Sequence, residues 1–561
     1  MKKKLVPILA AVILIVIVAA IGIITSIVEK YTPTDEKMAP NDYFGVASDE
    51  QAALILQNQL VEDKGLIKDG VVYLGYNVVK NYLNQRFYWD SGANLMVYTT
   101  PTDIINIPAG GKNYTVSGNS NTETYEIIKV SGTDVYIAAD FVQKYTNMEY
   151  ELIPDPNHVL ITYQWGDVTR ADMKKADSVR YQGGIKSPIL TSVAKGDTVT
   201  VLETMEDWTK VLTSDGYIGY VRNKKLGEAR TETTSRAFEE PVYTSAKKDY
   251  KINMVWHQIT NDESNYNLLY DLQDTKGLNT ISPTWFSIAS NDGDVASFVN
   301  SSYVDTAHAQ NLEVWALVDN FNEEVSTATV LGSTASREKL SNQLIAAAIQ
   351  YNLDGINVDF EALTEDSEEG YIQFIRELSV KCRKNGLVLS VDVPVPQPYN
   401  NFYSMKELGT IVDYVIIMGY DEHYNGSDPG SVASLPFVRA GVEAALKDVP
   451  SEKTINAVPF YTRIWTITPE GEVSSQAVGM DTADQALADN AAEANWSTDT
   501  SQDYGEYQDA DGNTCKIWLE NEKSIEEKAK LVKEFNLGGI AAWKLGFERS
   551  DVWDILLKYA S

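Results

Sequence analysis

Residues 247–561 alternate short apolar segments with amphipathic ones, and this alternation restricts most strongly what the chain can fold into. Apolar strands separated by helix-length segments are typical of a parallel sheet covered by helices. Helices are predicted between the strands, for example over 337–352 and 369–384. Eight strands in a segment of this length predict a (β/α)8 TIM barrel, with 466–507 as an inserted subdomain or long loops. The predicted strands are 252–255, 280–286, 313–317, 355–360, 387–391, 412–418, 453–458 and 539–543.

One predicted barrel strand carries a row of polar side chains. Side chains alternate along a strand, so Asn357, Asp359 and Glu361 share one face and apolar residues share the other. If the polar face points into the barrel, Glu361 lies at the C-terminal end, where barrel enzymes keep their chemistry. Neighbouring carboxylates raise one another's pKa, which makes a glutamate a proton donor near neutrality. A solvated edge strand with a polar face is the alternative.

Four segments in a fixed order resemble glycoside hydrolase family 18, the chitinase-like barrels. They are Asp-Gly-Ile-Asn-Val-Asp-Phe-Glu at 354–361, Met-Gly-Tyr-Asp at 418–421, Val-Pro-Phe-Tyr-Thr-Arg at 458–463 and Gly-Gly-Ile-Ala-Ala-Trp at 538–543. The resemblance covers roughly residues 250–561. It implies a retaining glycosidase that has no enzyme nucleophile, because the 2-acetamido oxygen of the substrate attacks the anomeric carbon. No cofactor or metal is implied.

The resemblance also implies roles for individual residues. Glu361 is expected to protonate the leaving oxygen and then to activate water. Asp359 is expected to hold the acetamido N–H, Tyr420 to bind the acetamido oxygen, and Asp421 to steady that group or sugar hydroxyls. Trp543 is expected to form the floor under the sugar at the cleavage site.

Five further residues of these motifs are candidates. Asn357 is assigned to the catalytic group, and Met418, Asp354, Tyr461 and Arg463 to substrate binding; packing beneath the site is the alternative for Met418. Many chitinases carry Asp at the position of Asn357, and an amide cannot share a proton with Asp359. With Met-Gly-Tyr-Asp-Glu-His at 418–423 and Ala-Ala-Trp-Lys-Leu-Gly at 541–546, this Asn resembles the bacterial branch that includes spore-cortex N-acetylglucosaminidases. The hypothesis is therefore a peptidoglycan N-acetylglucosaminidase. A chitinase or chito-oligosaccharide hydrolase, a non-catalytic chitinase-like lectin and a structural wall protein are the alternatives.

The N-terminus predicts a membrane anchor. Three lysines at 2–4 precede an apolar run over 5–28, and roughly 20 apolar residues are enough to span a bilayer. The lysines favour a cytoplasmic N-terminus, which leaves the remaining domains extracellular on the wall side. Cleavage as a signal peptide near residues 18–20 is the alternative.

Two modules are predicted between the anchor and the barrel. Residues 69–97 match 132–160 at an offset of 63, each copy reading as strand, short helix and hairpin. The repeats resemble the stalk-like domain named after the N-terminal domain of copper amine oxidases, which implies a spacer without copper chemistry. Residues 187–221 are similar to a bacterial SH3-type barrel, a wall-binding module or a passive spacer in which Trp208 and Tyr220 are buried. The predicted order is 1–28 cytoplasmic lysines and transmembrane signal anchor, 29–45 linker, 46–175 α+β stalk-like repeat domain, 176–228 SH3-like domain, 229–246 linker and 247–561 catalytic barrel.

Charge and metal-binding residues restrict the partners. The net charge of −32 opposes nucleic-acid binding. The four histidines are scattered, and no pair has metal-ligand spacing. Cys382 and Cys515 could be bridged, but Cys382 lies in a helical stretch where a buried thiol is the simpler interpretation. The expected partners are a peptidoglycan or chitin-type glycan and, through the N-terminal helix, a membrane.

Overall fold

The computed structural model describes residues 5–560. The chain divides into two compact units. One contains residues up to 87, together with 107–114 and 120–240; the other contains 88–106, 115–119 and 241–561. The lysines at 2–4 lie outside the described residues.

The larger unit is built on a closed parallel barrel, as predicted. Its strands are β1 (Ile252–His257), β2 (Thr280–Ile288), β3 (Glu313–Asp319), β4 (Gly355–Asp359), β5 (Val388–Pro394), β6 (Tyr414–Met418), β7 (Thr454–Pro459) and β8 (Gly539–Trp543). Each strand pairs in parallel with the next, and β1 closes the ring by pairing with both β2 and β8. A short strand, Val295–Ser297, pairs antiparallel with the end of β2. All eight predicted strands are therefore confirmed to within a few residues.

Helices cover the outside of the barrel, and local sequence signals set their ends. The helix Glu365–Asn385 starts at a capping box between Thr364 and Ser367 and ends at Gly386, whose φ of 68° suits glycine. Acidic residues in its first turn and basic ones in its last turn match the helix dipole. The other helices of the barrel are Asp262–Asn267, Leu268–Asp271, Ser301–Ala309, Thr327–Gly332, Thr334–Gln350, Met405–Ile411, Leu435–Ala445, Ser451–Lys453, Glu522–Glu534 and Val552–Ala560.

The predicted insertion is a subdomain that lies between β7 and β8. An antiparallel sheet runs in the order Val473–Gly479, Tyr461–Ile467, Thr514–Leu519, Gln502–Gln508 and Ala494–Ser497, with the helix Met480–Asp489 packed on it. The insertion is longer than the predicted 466–507. Tyr461–Ile467 and Thr514–Leu519 are regular strands, so the sequence shows no break in alternation at these edges. Cys382 and Cys515 are both buried free thiols.

A fully buried ion pair lies where the insertion returns to the barrel. Lys528 Nζ is 2.8 Å from both carboxylate oxygens of Glu520, and neither side chain is accessible to solvent. Ser524 Oγ and Gln502 Nε2 also donate to Glu520. Four hydrogen bonds therefore compensate a charge that would be costly to bury alone.

The segment 88–106 packs on helices of the barrel within the larger unit. The Tyr88 hydroxyl donates to the Gly332 carbonyl at 3.2 Å, and the Thr334 N–H donates to Asp90 Oδ2 at 2.7 Å. The Tyr88 ring lies 4.5 Å from the guanidinium of Arg337, which is fully buried and paired with Glu377. This segment is the hairpin of the first sequence repeat.

The repeats have the predicted order of strand, short helix and hairpin. In the first copy, Val71–Gly75 is followed by a helix over 76–83 and the hairpin Phe87–Asp90 and Leu95–Thr99. In the second, Asp134–Ala138 is followed by Ala139–Tyr145 and the hairpin Glu149–Ile153 and His158–Thr162. The first strands of the two copies, Val71–Gly75 and Asp134–Ala138, pair antiparallel. The resemblance to the copper amine oxidase domain stays a prediction.

The repeat strands of the smaller unit form one sheet. Its order is Glu149–Ile153, His158–Thr162, Gln51–Leu56, Gln59–Lys68, Val71–Gly75, Asp134–Ala138 and Ile128–Ser131. The short helix Pro40–Phe44 precedes it, and Ile104–Pro108, Asn113–Val116 and Asn119–Thr122 are the strands between the two repeats.

The SH3-like segment is all-β, as predicted. Its sheet runs in the order Ile189–Val193, Asp177–Arg180, Ile218–Arg222, Trp208–Leu212, Thr198–Thr204, Gly166–Asp172 and Arg230–Thr234, with a short 3-10 helix at Asn223–Lys225. Trp208 and Tyr220 are half-buried, whereas the passive-spacer alternative expected them to be buried. Both pack over Gly183, where the lack of a side chain leaves room for their rings.

The N-terminal helix Leu5–Tyr31 is long and apolar enough to cross a membrane. Its segment Val6–Tyr31 reaches a mean hydropathy of 3.2 and none of it is buried. A signal sequence has the same properties.

Candidate active site

Glu361 lies at the C-terminal mouth of the barrel, two residues after β4 ends. Its peptide is held from both sides by one side chain. The Glu361 N–H donates to Asn320 Oδ1 at 2.9 Å, and Asn320 Nδ2 donates to the Glu361 carbonyl at 3.0 Å. Asn320 directly follows β3, the neighbour of β4. The backbone of Glu361 is therefore fixed while its side chain is exposed at the mouth.

The pKa of Glu361 is raised above its ordinary value. Although the residue as a whole is exposed, protein atoms surround its carboxyl group, and the loss of water there is the largest cause. The negative charges of Asp421 and Asp319 raise the pKa further. A raised pKa is what a general acid needs near neutral pH.

Asp359 lies below Glu361, inside the barrel, and is 6% exposed. Its pKa is raised well above the ordinary value by burial first, and then by the charges of Asp392, Glu361 and Asp319. Asp319 ends β3 directly opposite Asp359 and accepts hydrogen bonds from Ser287 Oγ and the Phe321 N–H. Among the described residues, none donates a hydrogen bond to Asp359 Oδ1.

Asn357 lies one layer deeper and is completely buried. Its Oδ1 accepts from Trp256 Nε1 at 2.9 Å and from Ser282 Oγ at 3.1 Å. Its Nδ2 donates to Ser390 Oγ at 3.0 Å and to Asp392 Oδ1 at 2.8 Å. All four hydrogen-bonding positions of the amide are used, so Asn357 organises the barrel interior and has none left for a substrate.

Asp392 is a site residue that the motifs do not reveal. It lies on β5, is completely buried, and has a pKa raised well above the ordinary value by burial and by the charge of Glu361. The Asn357 amide and the Trp256 indole oppose that rise in pKa. Ser390 and Asp392 alternate with apolar residues along the strand, and this polar alternation was the available signal.

Tyr420, Asp421 and Tyr461 form one side of the mouth. Asp421 has a φ of 57°, and the hydroxyl of Tyr461 donates to Asp421 Oδ1 at 2.5 Å. The rings of Tyr420 and Tyr461 pack edge to face at 6.1 Å. Burial, together with nearby carboxylates, raises the pKa of both phenols well above 10, so both hydroxyls stay protonated donors.

Trp543 ends β8 and is half-buried, which leaves part of its ring open to a ligand. The ring lies 6.0 Å from that of Trp256, inclined at 57°. Met418 ends β6 and is 8% exposed, which agrees with packing beneath the site. Lys544 follows Trp543 and donates to Gln258 Oε1 at 2.5 Å.

The remaining two candidates lie apart from this cluster or at its edge. Asp354 precedes β4 at the opposite end of the barrel, where His308 Nε2 and the Val314 N–H donate to its carboxylate, both at 2.8 Å. Arg463 lies on the first strand of the insertion and donates to Ser475 Oγ at 3.1 Å. Its positive charge opposes the rise in the pKa of Tyr461, so it lies near the tyrosine side of the mouth. Within residues 5–560, no group of three or more His, Cys, Asp and Glu side chains is arranged to hold a metal ion.

Sequence comparison with known families and proteins identifies the barrel. The family model "Glycosyl hydrolases family 18" matches residues 242–548, more than half of the chain, and the model "Bacterial SH3 domain" matches 175–226. The cortical fragment-lytic enzyme of Bacillus subtilis is 28% identical over 260 residues, which are 44% of this chain and 60% of the relative. The uncharacterized glycosylase YvbX of the same organism is 25% identical over 311 residues, 53% of this chain and 89% of YvbX. YdhD of B. subtilis is 28% identical, and the chain spans 64% of its length.

Solved structures share the fold. The spore cortex-lytic enzyme SleL of Bacillus cereus aligns with a TM-score of 0.51 at 20% identity, covering 59% of this chain and 77% of SleL. The chitinase of Chromobacterium violaceum aligns with a TM-score of 0.50 at 24% identity, covering 55% of this chain and 98% of the chitinase. The family and the SH3-type module predicted from the motifs are thereby confirmed. The chain belongs to glycosyl hydrolase family 18.

Proposed function

We propose that the barrel hydrolyses β-linked N-acetylglucosamine in cell-wall peptidoglycan with retention of configuration, using Glu361 first as general acid and then as general base. The observation that carries the proposal is the state of Glu361. Its backbone is fixed by Asn320, its carboxyl group faces the open end of the barrel, and its pKa is raised. These are the properties of a proton donor aimed at a bound sugar.

The proposed reaction has two steps. In the first, Glu361 gives its proton to the glycosidic oxygen, the bond from that oxygen to the anomeric carbon breaks, and the acetamido oxygen of the same sugar forms a new bond to that carbon. In the second, Glu361 takes a proton from water as the water attacks the anomeric carbon and the bond to the acetamido oxygen breaks. Glu361 ends protonated again, so no proton is gained or lost by the enzyme.

The burial of Asp359 supports participation by the substrate. Asp359 is 6% exposed and lies below Glu361 inside the barrel, and this position disfavours direct attack of its carboxylate on the anomeric carbon. The acetamido oxygen can take that role instead, with Asp359 accepting the acetamido N–H and balancing the positive charge that develops. The hydroxyl of Tyr420 stays protonated and suits an oxygen acceptor on the sugar, whereas the single hydroxyl hydrogen of Tyr461 is already donated to Asp421.

The choice of peptidoglycan is supported by the relatives and by the expected location. A relative in B. subtilis is named for lysis of cortical fragments, and the SH3-type module accompanies the barrel. We propose that the helix Leu5–Tyr31 keeps the protein in the cell membrane with its other domains on the wall side. A tethered enzyme is better placed to reach the wall than insoluble chitin.

The test uses the full-length chain in detergent, with peptidoglycan and chito-oligosaccharides as substrates and mass spectrometry of the products. Glu361→Gln removes the acid, and Glu323→Gln is the matched control because Glu323 is an exposed glutamate on the loop after β3. New N-acetylglucosamine reducing ends from peptidoglycan, lost in Glu361→Gln and kept in Glu323→Gln, are expected. Cleavage of chito-oligosaccharides alone would make the protein a chitinase. Binding without cleavage, equal in all three proteins, would make it a lectin.

A further inference from the structure

Two buried carboxyl groups face each other on neighbouring strands of the barrel. Val358 of β4 pairs with Val391 of β5, so the next residues, Asp359 and Asp392, are cross-strand neighbours. Both side chains point inward, since Asn357 and Ser390, two residues earlier on each strand, are hydrogen-bonded to each other. Each acid has one buried oxygen, Asp359 Oδ1 and Asp392 Oδ2, to which no described residue donates a hydrogen bond.

The orientation of the network around Asp392 is fixed by a group that can only donate. The indole N–H of Trp256 has no acceptor capacity, so the atom of Asn357 that it meets must be the oxygen. The amide nitrogen of Asn357 then points to Asp392 Oδ1. That oxygen of Asp392 is an acceptor, and Oδ2 is left as the atom that can carry a proton.

We propose that Asp392 and Asp359 hold one proton between them, and that Asp392 keeps it on Oδ2 and donates it to Asp359 Oδ1. Asp392 is then a positioning residue. It keeps Asp359 anionic and oriented while Asp359 faces the acetamido group and its developing positive charge. The proton stays within the pair through both steps, so the proton balance at Glu361 is unchanged. Asn357 cannot take this role, because both of its amide hydrogens are already donated.

The groups around Asp359 and Asp392 favour this pair of carboxyls as the location of the shared proton. The titratable groups that face Asp392 are Asp359, Glu361, Tyr371 and Tyr420, and Asp319 and Tyr403 also face Asp359. The three tyrosines stay neutral, because burial raises their pKa. Two adjacent buried carboxylates without a proton would repel each other in a medium of low polarity. One shared proton removes that repulsion and supplies the donor that Asp359 Oδ1 needs.

The activity test compares two variants of Asp392 in the full-length chain. Asp392→Asn keeps a neutral donor at the same position and should keep kcat within a few-fold of the parent protein. Asp392→Leu has no donor and should lose about tenfold to a thousandfold. Loss of the shared proton should add a second fall in activity at high pH, beyond the limb that belongs to Glu361, and this second fall should be absent in Asp392→Asn. Equal losses in Asn and Leu variants that remain folded would overturn the proposal, as would an unchanged pH profile in Asp392→Asn.

A second measurement separates this inference from the proposed function on which it rests. A carboxyl whose pKa is raised by folding stabilises the fold below its unfolded pKa of about 4, and this contribution is lost as pH rises towards the folded pKa. The parent protein should therefore release about one more proton on unfolding at pH 6–7 than Asp392→Asn does, measured from the pH dependence of urea unfolding. Equal proton release would refute the shared proton, even if the parent protein cleaves nothing and the proposed function fails.

Discussion

The two hydrogen bonds between Asn320 and the Glu361 peptide give the most specific prediction that leaves Glu361 itself unchanged. Asn320→Ala removes both hydrogen bonds to the Glu361 peptide and a third, from Nδ2 to Thr327 Oγ1 at 2.9 Å. The residue itself is half-buried, so water partly replaces the lost partners. We expect the fold to survive and the position of Glu361 to loosen.

The magnitude follows from the bonds lost. Two neutral hydrogen bonds contribute about 0.5–1.5 kcal/mol each, and partial exposure favours the lower half of that range. A loss of about 1–2 kcal/mol in transition-state stabilisation corresponds to roughly fivefold to thirtyfold in kcat. The affinity for substrate should change less, because Asn320 is expected to act through Glu361 rather than by touching the sugar.

The assay is steady-state hydrolysis of a soluble chito-oligosaccharide, or of solubilised peptidoglycan fragments, with kcat and KM determined separately. Thr327→Val is the matched control, because it removes only the third hydrogen bond and should leave kcat nearly unchanged. Asn320→Asp keeps the acceptor for the Glu361 N–H and should lie between Ala and the parent, with a higher pKa for Glu361. If the kcat of Asn320→Ala is unchanged, or falls no further than the kcat of Thr327→Val, the positioning role of Asn320 is refuted.

Three further predictions concern charge, stacking and stability. Asp421→Asn should shift the alkaline limb of the kcat/KM pH profile to lower pH, because removal of this negative charge lowers the pKa of Glu361, whose acid form is lost as pH rises. A limb at unchanged pH would contradict its assignment to Glu361. Trp543→Ala should raise KM roughly tenfold to thirtyfold by removing about 2 kcal/mol of apolar contact with the sugar, as measured by initial rates; an unchanged KM would remove Trp543 from the subsite. Lys528→Met should lower the free energy of unfolding, measured in urea, by about 3–5 kcal/mol, because it leaves Glu520 buried without its counter-ion. The double variant Lys528→Met with Glu520→Leu should recover most of that loss, and equal destabilisation in both proteins would contradict the ion-pair argument.

The fold could be predicted from the sequence because each barrel strand is buried on both faces and bounded by clear helix signals. The segment 461–519 was less predictable at its edges, since its first and last strands mix apolar and polar residues and only tertiary pairing assigns them to the inserted sheet. The repeat was visible as an offset of 63 residues, but its distribution between the two units was not. That distribution depends on contacts such as Tyr88 with Gly332, which join residues far apart in the sequence.

The candidate site was predictable where one strand or strand end carried the residues. Asn357, Asp359 and Glu361 lie in a period-two row, and the structure brings Tyr420, Asp421, Tyr461 and Trp543 to the same mouth. Asp392 and Asn320 were missed because their partners lie on neighbouring strands, and register across a sheet cannot be read from a single segment. Asp354 belongs to the familiar motif, yet it lies at the other end of the strand, with His308.

The packing of residues 88–106 on the barrel helices affects how this enzyme can be recombined in evolution or in the laboratory. A fragment that begins at residue 247 lacks Tyr88 and Asp90. The buried Arg337 then loses its contact with the Tyr88 ring, and the Thr334 N–H loses its acceptor, the Asp90 carboxylate. Each buried donor left without an acceptor costs about 1–3 kcal/mol, against a typical total stability of 5–15 kcal/mol. The barrel therefore cannot be exchanged between proteins on its own without loss of stability. The segment that must move with it includes a hairpin more than 140 residues before β1 in the sequence.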